Sequence, residues 1–398
     1  MRRSAVFVHG TRRSVALGLA ALCVLGTSAA PAQAETVRER QWYLDAMHAE
    51  GVWAKSTGAG VTVAVVDTGV DAEMPDLVGQ VVPGKDYADA DGGGLTDADG
   101  HGTHMALIIA GTGKSYGGTG TFGLAPGVKI KPFHVTTGEA PITSQGGRAS
   151  LSQAIRDAAD SEAEIINISL GGMSQTWQDA EAVEYALRRG KLIFAGAGND
   201  SSDHLVAYPA AYPGVVAVGA VGKTGRALDD SNRGPQLALA APGDEIVTTC
   251  RGGTGVCRTS GTSDATAIAS ASAALVWSAH PDWTANQVLR VLINTAGHPK
   301  SGIKRSDSIG FGIVRPSHAL ANPGDPGPPD ASPLPELAPK PKPSQTEIPA
   351  QAATAANTKE QNSLLSTRNI LAAAVVAAVI TGISAAALLR RRRKTRFQ

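Results

Sequence analysis

The amino-acid sequence predicts an α/β fold, a doubly wound and mainly parallel sheet with helices on both faces, followed by one C-terminal transmembrane helix. Three observations support this prediction. Short runs rich in Val and Ile alternate with helical patterns along the middle of the chain, 46 of the 398 residues are Gly, and an uncharged run of 20 residues lies near the C-terminus. Alternating strands and helices are typical of parallel sheets, and the long uncharged run is typical of a membrane span.

Five short runs rich in apolar and β-branched residues are predicted to be strands buried on both faces. They are residues 61–66, 128–135, 165–169, 192–197 and 215–221. Helices are predicted at 151–159 and 177–189, the second ended by Gly190, and the capping-box pair Thr284 and Gln287 begins another. In a sheet of this kind the functional site lies at the carboxyl ends of the strands.

The two ends of the chain predict where the protein is located. Residues 1–34 have the pattern of a secretory signal peptide, with basic residues, an apolar run and small residues before a cleavage site after Ala34. A permanent N-terminal anchor is the alternative. The uncharged run at 370–389 predicts a transmembrane helix at 369–389, and the basic tail at 390–398 predicts a cytoplasmic C-terminus. A buried core helix and a cell-wall sorting signal are less consistent with these flanking residues.

Between the ends, residues 35–321 are predicted to form the folded domain and 322–368 a linker. The linker contains ten prolines between residues 322 and 349 and has no apolar periodicity, so we expect an extended spacer. Once Cys23 leaves with the signal peptide, Cys250 and Cys257 remain, and we expect them to pair outside the cell. Two free thiols are the alternative.

The charge of the chain argues against one class of partner. Lys and Arg total 36 against 35 for Asp and Glu, which gives a formal net charge of +1. Binding to nucleic acid depends on a clear excess of basic residues, so nucleic acid is not predicted as a partner.

Three polar motifs stand where nucleophilic catalysis would need them. Asp67, in Asp-Thr-Gly, ends the first predicted strand; His101 opens His-Gly-Thr-His between two glycines; Ser263, in Gly-Thr-Ser, opens a helix of small residues. Taken singly, the Asp is more often a turn residue and the His more often structural. A serine at a helix N-terminus lies where backbone N–H groups favour developing negative charge.

In the order Asp, His, Ser, these motifs resemble those of the subtilisin-like serine peptidases, the subtilases. The resemblance covers about residues 51–296. It implies a subtilisin-like fold and a serine endopeptidase in which Ser263 is the nucleophile, His101 the general base and then acid, and Asp67 the residue that orients the imidazole. It also implies that His104, the second histidine of the motif, is structural.

The same resemblance implies further site residues. Asn199 would donate its side-chain N–H to the tetrahedral oxyanion. Ser169, Leu170 and Gly171 would pair with the substrate backbone as an added strand. Ala207 would lie at the base of the pocket, and such a small neutral floor suggests a small or apolar residue before the scissile bond.

The sequence departs from the family pattern at two positions of the nucleophile motif. Asp264 stands where Met usually follows the serine, and Ala267 stands where Pro is usual. A carboxylate at 264 would repel the oxyanion if it pointed inward. Only about 25 residues separate Ala34 from the first predicted strand, so no long inhibitory propeptide is expected. Whether the segment at 35–50 covers the cleft is left open.

The acidic stretch at residues 86–99 can be considered as a calcium site. Its spacing does not fit an EF-hand loop and it lacks the closing Glu, so we expect a solvated acidic loop. No metal and no cofactor are predicted. The stretch contains Asp86, Asp89, Asp91, Asp97 and Asp99.

The order of signal peptide, subtilase domain, Pro-rich linker, single span and basic tail resembles the mycosins, membrane-bound subtilases associated with type VII secretion in actinobacteria. The resemblance implies a single-pass plasma-membrane protease with an extracellular peptidase domain and a cytoplasmic C-terminus. Its expected partners are protein or peptide substrates and a type VII secretion complex. A non-catalytic scaffold for that complex and a general surface-tethered protease are the alternatives, and the physiological substrate and oligomeric state are left open.

Overall fold

A computed structural model of the chain describes residues 35–88, 92–136, 145–299 and 302–334. The predicted signal peptide (1–34), transmembrane helix (369–389) and basic tail (390–398) lie outside these residues, as does the linker beyond residue 334. Within the described ranges, no helix has both the length and the apolar character that a membrane span requires.

A seven-stranded sheet forms the centre of the domain. Its strands are β1 (Thr62–Asp67), β2 (Lys85–Asp86), β3 (Lys129–His134), β4 (Ile165–Ile168), β5 (Leu192–Gly196), β6 (Val216–Val221) and β7 (Leu237–Pro242). They lie in the order β2-β3-β1-β4-β5-β6-β7, and every neighbouring pair is parallel. The five strands predicted from apolar runs are all present with nearly the predicted bounds. A separate antiparallel hairpin, β8 (Ile246–Thr249) with β9 (Val256–Thr259), was not predicted.

Helices cover both faces of the sheet, which confirms the predicted doubly wound α/β class. The described helices are α1 (Val37–Arg40), α2 (Trp42–Ala46), α3 (Ala49–Trp53), α4 (His101–Ala110), α5 (Ser115–Gly118), α6 (Gln145–Asp160), α7 (Trp177–Arg188), α8 (Thr262–Ala279), α9 (Ala285–Thr295) and α10 (Pro316–Ala321). One buried cluster lies on the side of α4, α8 and α9, and a second on the side of α6 and α7. Both predicted helix signals are present, since Gly190 has a φ of +76° and Thr284 and Gln287 form a capping box.

The first strand shows why the apolar runs lack alternation. Val63 and Val65 belong to the cluster on the α4 and α8 side, whereas Ala64 and Val66 belong to the opposite cluster. Because both faces of the strand are buried, apolar residues are needed at every position.

The strand order reverses at β1, which lies between β3 and β4. At such a reversal the loops after neighbouring strands leave toward opposite faces, and a crevice opens at the carboxyl ends. Asp67 ends β1, and the register that pairs Val66 with Ile168 places Ser169 beside it at the end of β4. The two residues therefore stand next to each other in this crevice.

The N-terminal segment packs against the domain through buried side chains. Tyr43 and Leu44 are fully buried, Trp42 donates its indole N–H to the carbonyl oxygen of Asp244, and Trp53 donates to that of Leu124. Leu124 also binds the last turn of α4, about 15 Å from the first turn of that ten-residue helix. The described contacts of this segment are thus with the core, with the loop after α5 and with the loop after β7.

The packed part of the chain continues beyond residue 321. Leu334 is buried, and Arg290 of α9 donates to the carbonyl oxygens of Pro326 and Ala331. Proline carbonyls are good acceptors, and a guanidinium can bind several of them at once. Residues 322–334, predicted as the start of an extended spacer, are therefore docked on α9.

Candidate active site

Asp67 and His101 form a hydrogen-bonded pair at the end of β1. The Asp67 side chain is fully buried, and its Oδ1 lies 2.7 Å from Nδ1 of His101 and accepts the N–H of Thr68 at 2.8 Å. Gly100, with a φ of +100°, turns the chain so that α4 begins at His101. Because the carboxylate only accepts, Nδ1 carries the proton and Nε2 of the neutral ring is free as a base.

The environment of His101 favours its protonated form. Burial lowers the pKa of the imidazole, but the charge and hydrogen bond of Asp67 outweigh burial and raise the pKa from 6.5 to about 9. The carboxylates of Asp264 and Asp99 raise this pKa further. The site is therefore suited to stabilising the imidazolium that forms when a base takes up a proton.

Asp97 holds the loop in front of α4, contrary to the predicted solvated acidic loop. Its side chain is buried, and Oδ1 accepts from Thr68 Oγ1 at 3.0 Å and from the N–H of Gly100 at 2.7 Å. Oδ2 accepts from the N–H and the hydroxyl of Thr103 at 2.8 and 2.6 Å. The side chain of Asp86 is also buried, with Oδ2 2.9 Å from Nδ1 of His134. The prediction was wrong for Asp97 and Asp86 because each carboxylate binds polar groups of other elements, which the spacing of the acidic residues does not reveal. Asp99 is exposed as predicted, and Asp89 and Asp91 lie outside the described residues.

The β8–β9 hairpin supports the same loop from the other side. Cys250, directly after β8, forms the predicted disulfide with Cys257 of β9. Arg251, inside the loop that the disulfide closes, donates to the carbonyl oxygens of Asp97 and Ala98. The disulfide hairpin thus contacts the backbone directly before His101.

Ser263 lies in the first turn of α8, opposite the end of β4. Its hydroxyl donates to the carbonyl oxygen of Ser169 at 3.0 Å, and the Ser169 hydroxyl donates to the carbonyl oxygen of Ser263 at 3.2 Å. Asn167 donates to the Ser169 hydroxyl at 3.0 Å and accepts from Ser270 at 3.0 Å. The structure therefore brings Ser263 to the carboxyl edge of the sheet with Asp67 and His101, but its hydroxyl is bound to Ser169 and not to His101.

Asn199 presents its side-chain amide beside Ser263. Its Oδ1 accepts the N–H of Thr262 at 2.9 Å, and the Thr262 hydroxyl accepts the N–H of Gly198 at 3.2 Å. These bonds orient the amide and leave Nδ2 without a protein acceptor among the described residues. The N–H of Ser263, in the first turn of α8, has no acceptor in the described part of the chain either. Two N–H donors therefore flank the Ser263 side chain.

The residues predicted to bind substrate line one cavity of about 370 Å³ next to Ser263. Its walls include Ser169, Leu170, Gly171, Asn199, Ala207 and Ser263. Ala207 is buried and fixed by a bond from its N–H to the carbonyl oxygen of Ala197. Within the described ranges, the backbone groups of Leu170 and Gly171 have no protein partner, so they can pair with an added strand.

Asp264 does not point toward the donors beside Ser263. Its buried carboxylate lies 2.8 Å from Nε2 of His104 and accepts from the Thr259 hydroxyl at 2.8 Å. The other departure, Ala267, is buried inside α8, which is continuous from Thr262 to Ala279. Neither substitution disrupts the first turn that carries Ser263.

Several supporting residues were not found from the sequence. Asn167 and Ser270 hold Ser169, Thr262 orients Asn199, and Asn232 accepts from the N–H groups after Asn199. Asn167 and Ser270 are single polar residues in apolar or small-residue segments, so the sequence shows them only as breaks in the pattern. Thr262 and Asn232 lie among other polar residues, and nothing local distinguishes them from their neighbours.

The family model of the subtilase family matches residues 58–314. The chain belongs to the subtilase family. It is 35% identical over 254 residues to subtilisin amylosacchariticus of Bacillus subtilis subsp. amylosacchariticus, covering 63% of this chain and 63% of that one.

Two solved structures of type VII secretion proteases are also similar. MycP1 from Mycobacterium smegmatis has a TM-score of 0.64 at 29% identity, covering 75% of this chain and 89% of that chain. MycP3 protease from the type VII (ESX-3) secretion system has a TM-score of 0.62 at 34% identity, covering 70% and 87%. The predicted resemblance to subtilases and to the mycosins is confirmed.

Proposed function

We propose that the chain is a membrane-anchored extracellular serine endopeptidase that cleaves peptide bonds through an acyl-enzyme and acts with a type VII secretion complex. The observation that carries the proposal is the 2.7 Å bond between buried Asp67 and His101 at the sheet edge where the helix of Ser263 begins. A buried carboxylate, an oriented imidazole and a serine at a helix N-terminus are the parts that acyl transfer requires.

The proposed roles follow from the contacts of each residue. His101 takes the proton of the Ser263 hydroxyl through Nε2 while Asp67 holds Nδ1–H and stabilises the imidazolium. The Asn199 amide and the Ser263 N–H then donate to the oxyanion of the tetrahedral intermediate. His101 returns its proton to the leaving amine, and a water molecule activated by the same ring releases the acyl group.

Substrate recognition is proposed for the cavity beside Ser263. An extended peptide would pair with the open backbone groups of Leu170 and Gly171, so that its side chain before the scissile bond enters the cavity. The methyl group of Ala207 at the cavity wall favours a small or apolar side chain there. Because such pairing uses hydrogen bonds to the substrate main chain, it suits protein and peptide substrates of varied sequence.

The hydroxyl of Ser263 favours a second candidate, a non-catalytic scaffold. In the structure this hydroxyl donates to Ser169 and not to His101. For catalysis, it must turn about its Cα–Cβ bond toward His101, a rotation between staggered side-chain positions that costs little. In a scaffold it would stay bound to Ser169, and the domain would serve only to stabilise a complex.

The membrane and secretion parts of the proposal rest on the sequence of the ends and on the relatives. The pattern at 369–389 with its basic tail supports a single span with the domain outside. MycP1 has been described as an essential component of the type VII (ESX-1) secretion system. Exchange of the span for an unrelated one separates the two possible uses of this helix, since docking on a complex would be lost and simple tethering would survive.

Hydrolysis of an unstructured protein such as casein by the full-length chain tests the proposed chemistry. We expect the parent to cleave it, Ser263→Ala to be inactive, and Ser260→Ala to cleave at the parental rate. Ser260 is a matched control because it lies in the same loop but its hydroxyl contacts Asp244. Equal cleavage by the parent and Ser263→Ala would refute the proposal.

A further inference from the structure

Asp264 directly follows the proposed nucleophile, yet its side chain faces away from it. The carboxylate is buried, with 2% of the residue exposed, and its Oδ1 contacts His104 and Thr259, each at 2.8 Å. His104 belongs to α4 and Thr259 to β9. The carboxylate therefore joins the first turn of α8 to α4 and to the hairpin.

The ring of His104 is fixed at both nitrogens. Nδ1 lies 2.7 Å from the hydroxyl of Thr248, and Nε2 lies 2.8 Å from Asp264 and 2.6 Å from the hydroxyl of Thr259. Thr248 belongs to β8, so both hairpin strands hold the ring. A histidine bound in this way cannot turn without breaking contacts on either side.

These two residues stand next to the proposed catalytic groups. His104 lies three residues after His101, on the same side of α4, and Asp264 is one residue after Ser263. We propose that Asp264, held by His104, is a positioning residue for the proposed peptidase reaction, because it fixes the separation of the helix turns that carry His101 and Ser263. This role rests on the proposed function, since it presupposes the peptidase reaction. The effect of Asp264 on His101 can nevertheless be measured without any peptidase activity.

A buried carboxylate restricts how the contact of Asp264 with His104 and Thr259 can be made. An apolar residue at position 264 could pack in several ways, whereas a buried carboxylate must keep its donors, since loss of a partner leaves an uncompensated charge. Asp264 also acts on His101, together with Asp67 from β1 and Asp99 from the preceding loop. On the hairpin side, Arg251 binds the backbone before His101, and Arg258 of β9 pairs with Glu245. Neutralising Asp264 removes one of three negative charges and lowers the pKa of His101.

The first experiment measures this electrostatic link without relying on activity. The His101 ring signal of the full-length chain is titrated by NMR in the parent and in Asp264→Asn, with assignment from His101→Gln. We expect Asp264→Asn to lower the titration midpoint, with a change in proton affinity of about twofold or more. An unchanged midpoint would overturn the inference, because a side chain that only fills space would leave it unchanged.

The second experiment measures positioning with a double-mutant cycle. The rate constant for labelling of Ser263 by a fluorophosphonate is compared among the parent, Asp264→Asn, His104→Gln and the double variant. We expect each single change to slow labelling by roughly 10- to 100-fold and the double change to add little, because both break one contact. Additive losses, or single variants as fast as the parent, would contradict the inference.

Two controls keep these outcomes separate. Ser272→Ala, which removes a hydroxyl from α8 away from the contact, should label at the parental rate. Thermal unfolding of each variant is measured first, and if Asp264→Asn does not fold, Thr259→Val takes its place in the double-mutant cycle and Asp264→Ser takes its place in the titration, with the same expected directions. A folded parent that is not labelled would refute the proposed function, while the NMR titration would still decide whether Asp264 acts on His101.

Discussion

Replacing Asp67 by Asn should shift the pH dependence of the proposed reaction to lower pH. The 2.7 Å contact and the charge of Asp67 are the main reasons that the pKa of His101 rises from 6.5 to about 9. That rise corresponds to a roughly 300-fold gain in proton affinity. Reaction needs the neutral ring, so the rate for the parent should increase with pH up to about 9. In Asp67→Asn the ring loses a proton at lower pH, because the amide does not stabilise the imidazolium.

The assay is the rate constant for fluorophosphonate labelling between pH 5 and pH 10. We expect the acid limb of Asp67→Asn to move to lower pH, and its plateau to fall by about 10⁴-fold because the imidazole is held in the wrong tautomer. Asp282→Asn is the control, since this exposed carboxylate follows the far end of the 18-residue α8, about 27 Å from its first turn. A limb at the same pH in the parent and in Asp67→Asn would refute this reasoning.

Three further predictions concern the oxyanion donor, the disulfide and the docked segment. Asn199→Ala should reduce kcat by about 10²–10³-fold with little change in KM, and steady-state kinetics showing an unchanged kcat would contradict the proposed role. Joint replacement of Cys250 and Cys257 by Ser should lower the free energy of unfolding in urea by about 2–3 kcal/mol, and no change would indicate that the closed loop does not constrain the unfolded chain. Arg290→Ala should speed limited proteolysis within 322–334, whereas parental cleavage rates would show that its bonds to the carbonyl oxygens do not hold the segment.

The central strands could be predicted from the sequence because burial on both faces requires apolar residues at nearly every position. Residues 61–66 and 192–197 are apolar at nearly every position, and only a buried strand or helix requires this. β7, by contrast, reads Leu-Ala-Leu-Ala-Ala-Pro, and alanine does not distinguish strand from helix. The helices α1–α3 are only four or five residues long, so a helical period cannot be recognised in them.

The positions of the site residues could be predicted, but the directions of several side chains could not. Asp67, His101 and Ser263 were placed by motifs that resemble those of a known family. The hydroxyl of Ser263 is directed by Ser169, which Asn167 holds in turn, and no local pattern reveals this contact between segments about 94 residues apart. The direction of Asp264 depends in the same way on a histidine 160 residues earlier.

Covalent labelling of Ser263 tests the central claim most directly. The full-length parent and Ser263→Ala are treated with a fluorophosphonate at pH 9, and the site of the adduct is located by peptide mass mapping. We expect one adduct, on Ser263 in the parent, and none in the variant, because His101 must accept the proton of this hydroxyl for the phosphorus to be attacked. A folded parent without an adduct, or an adduct on another serine, would contradict it and favour the scaffold.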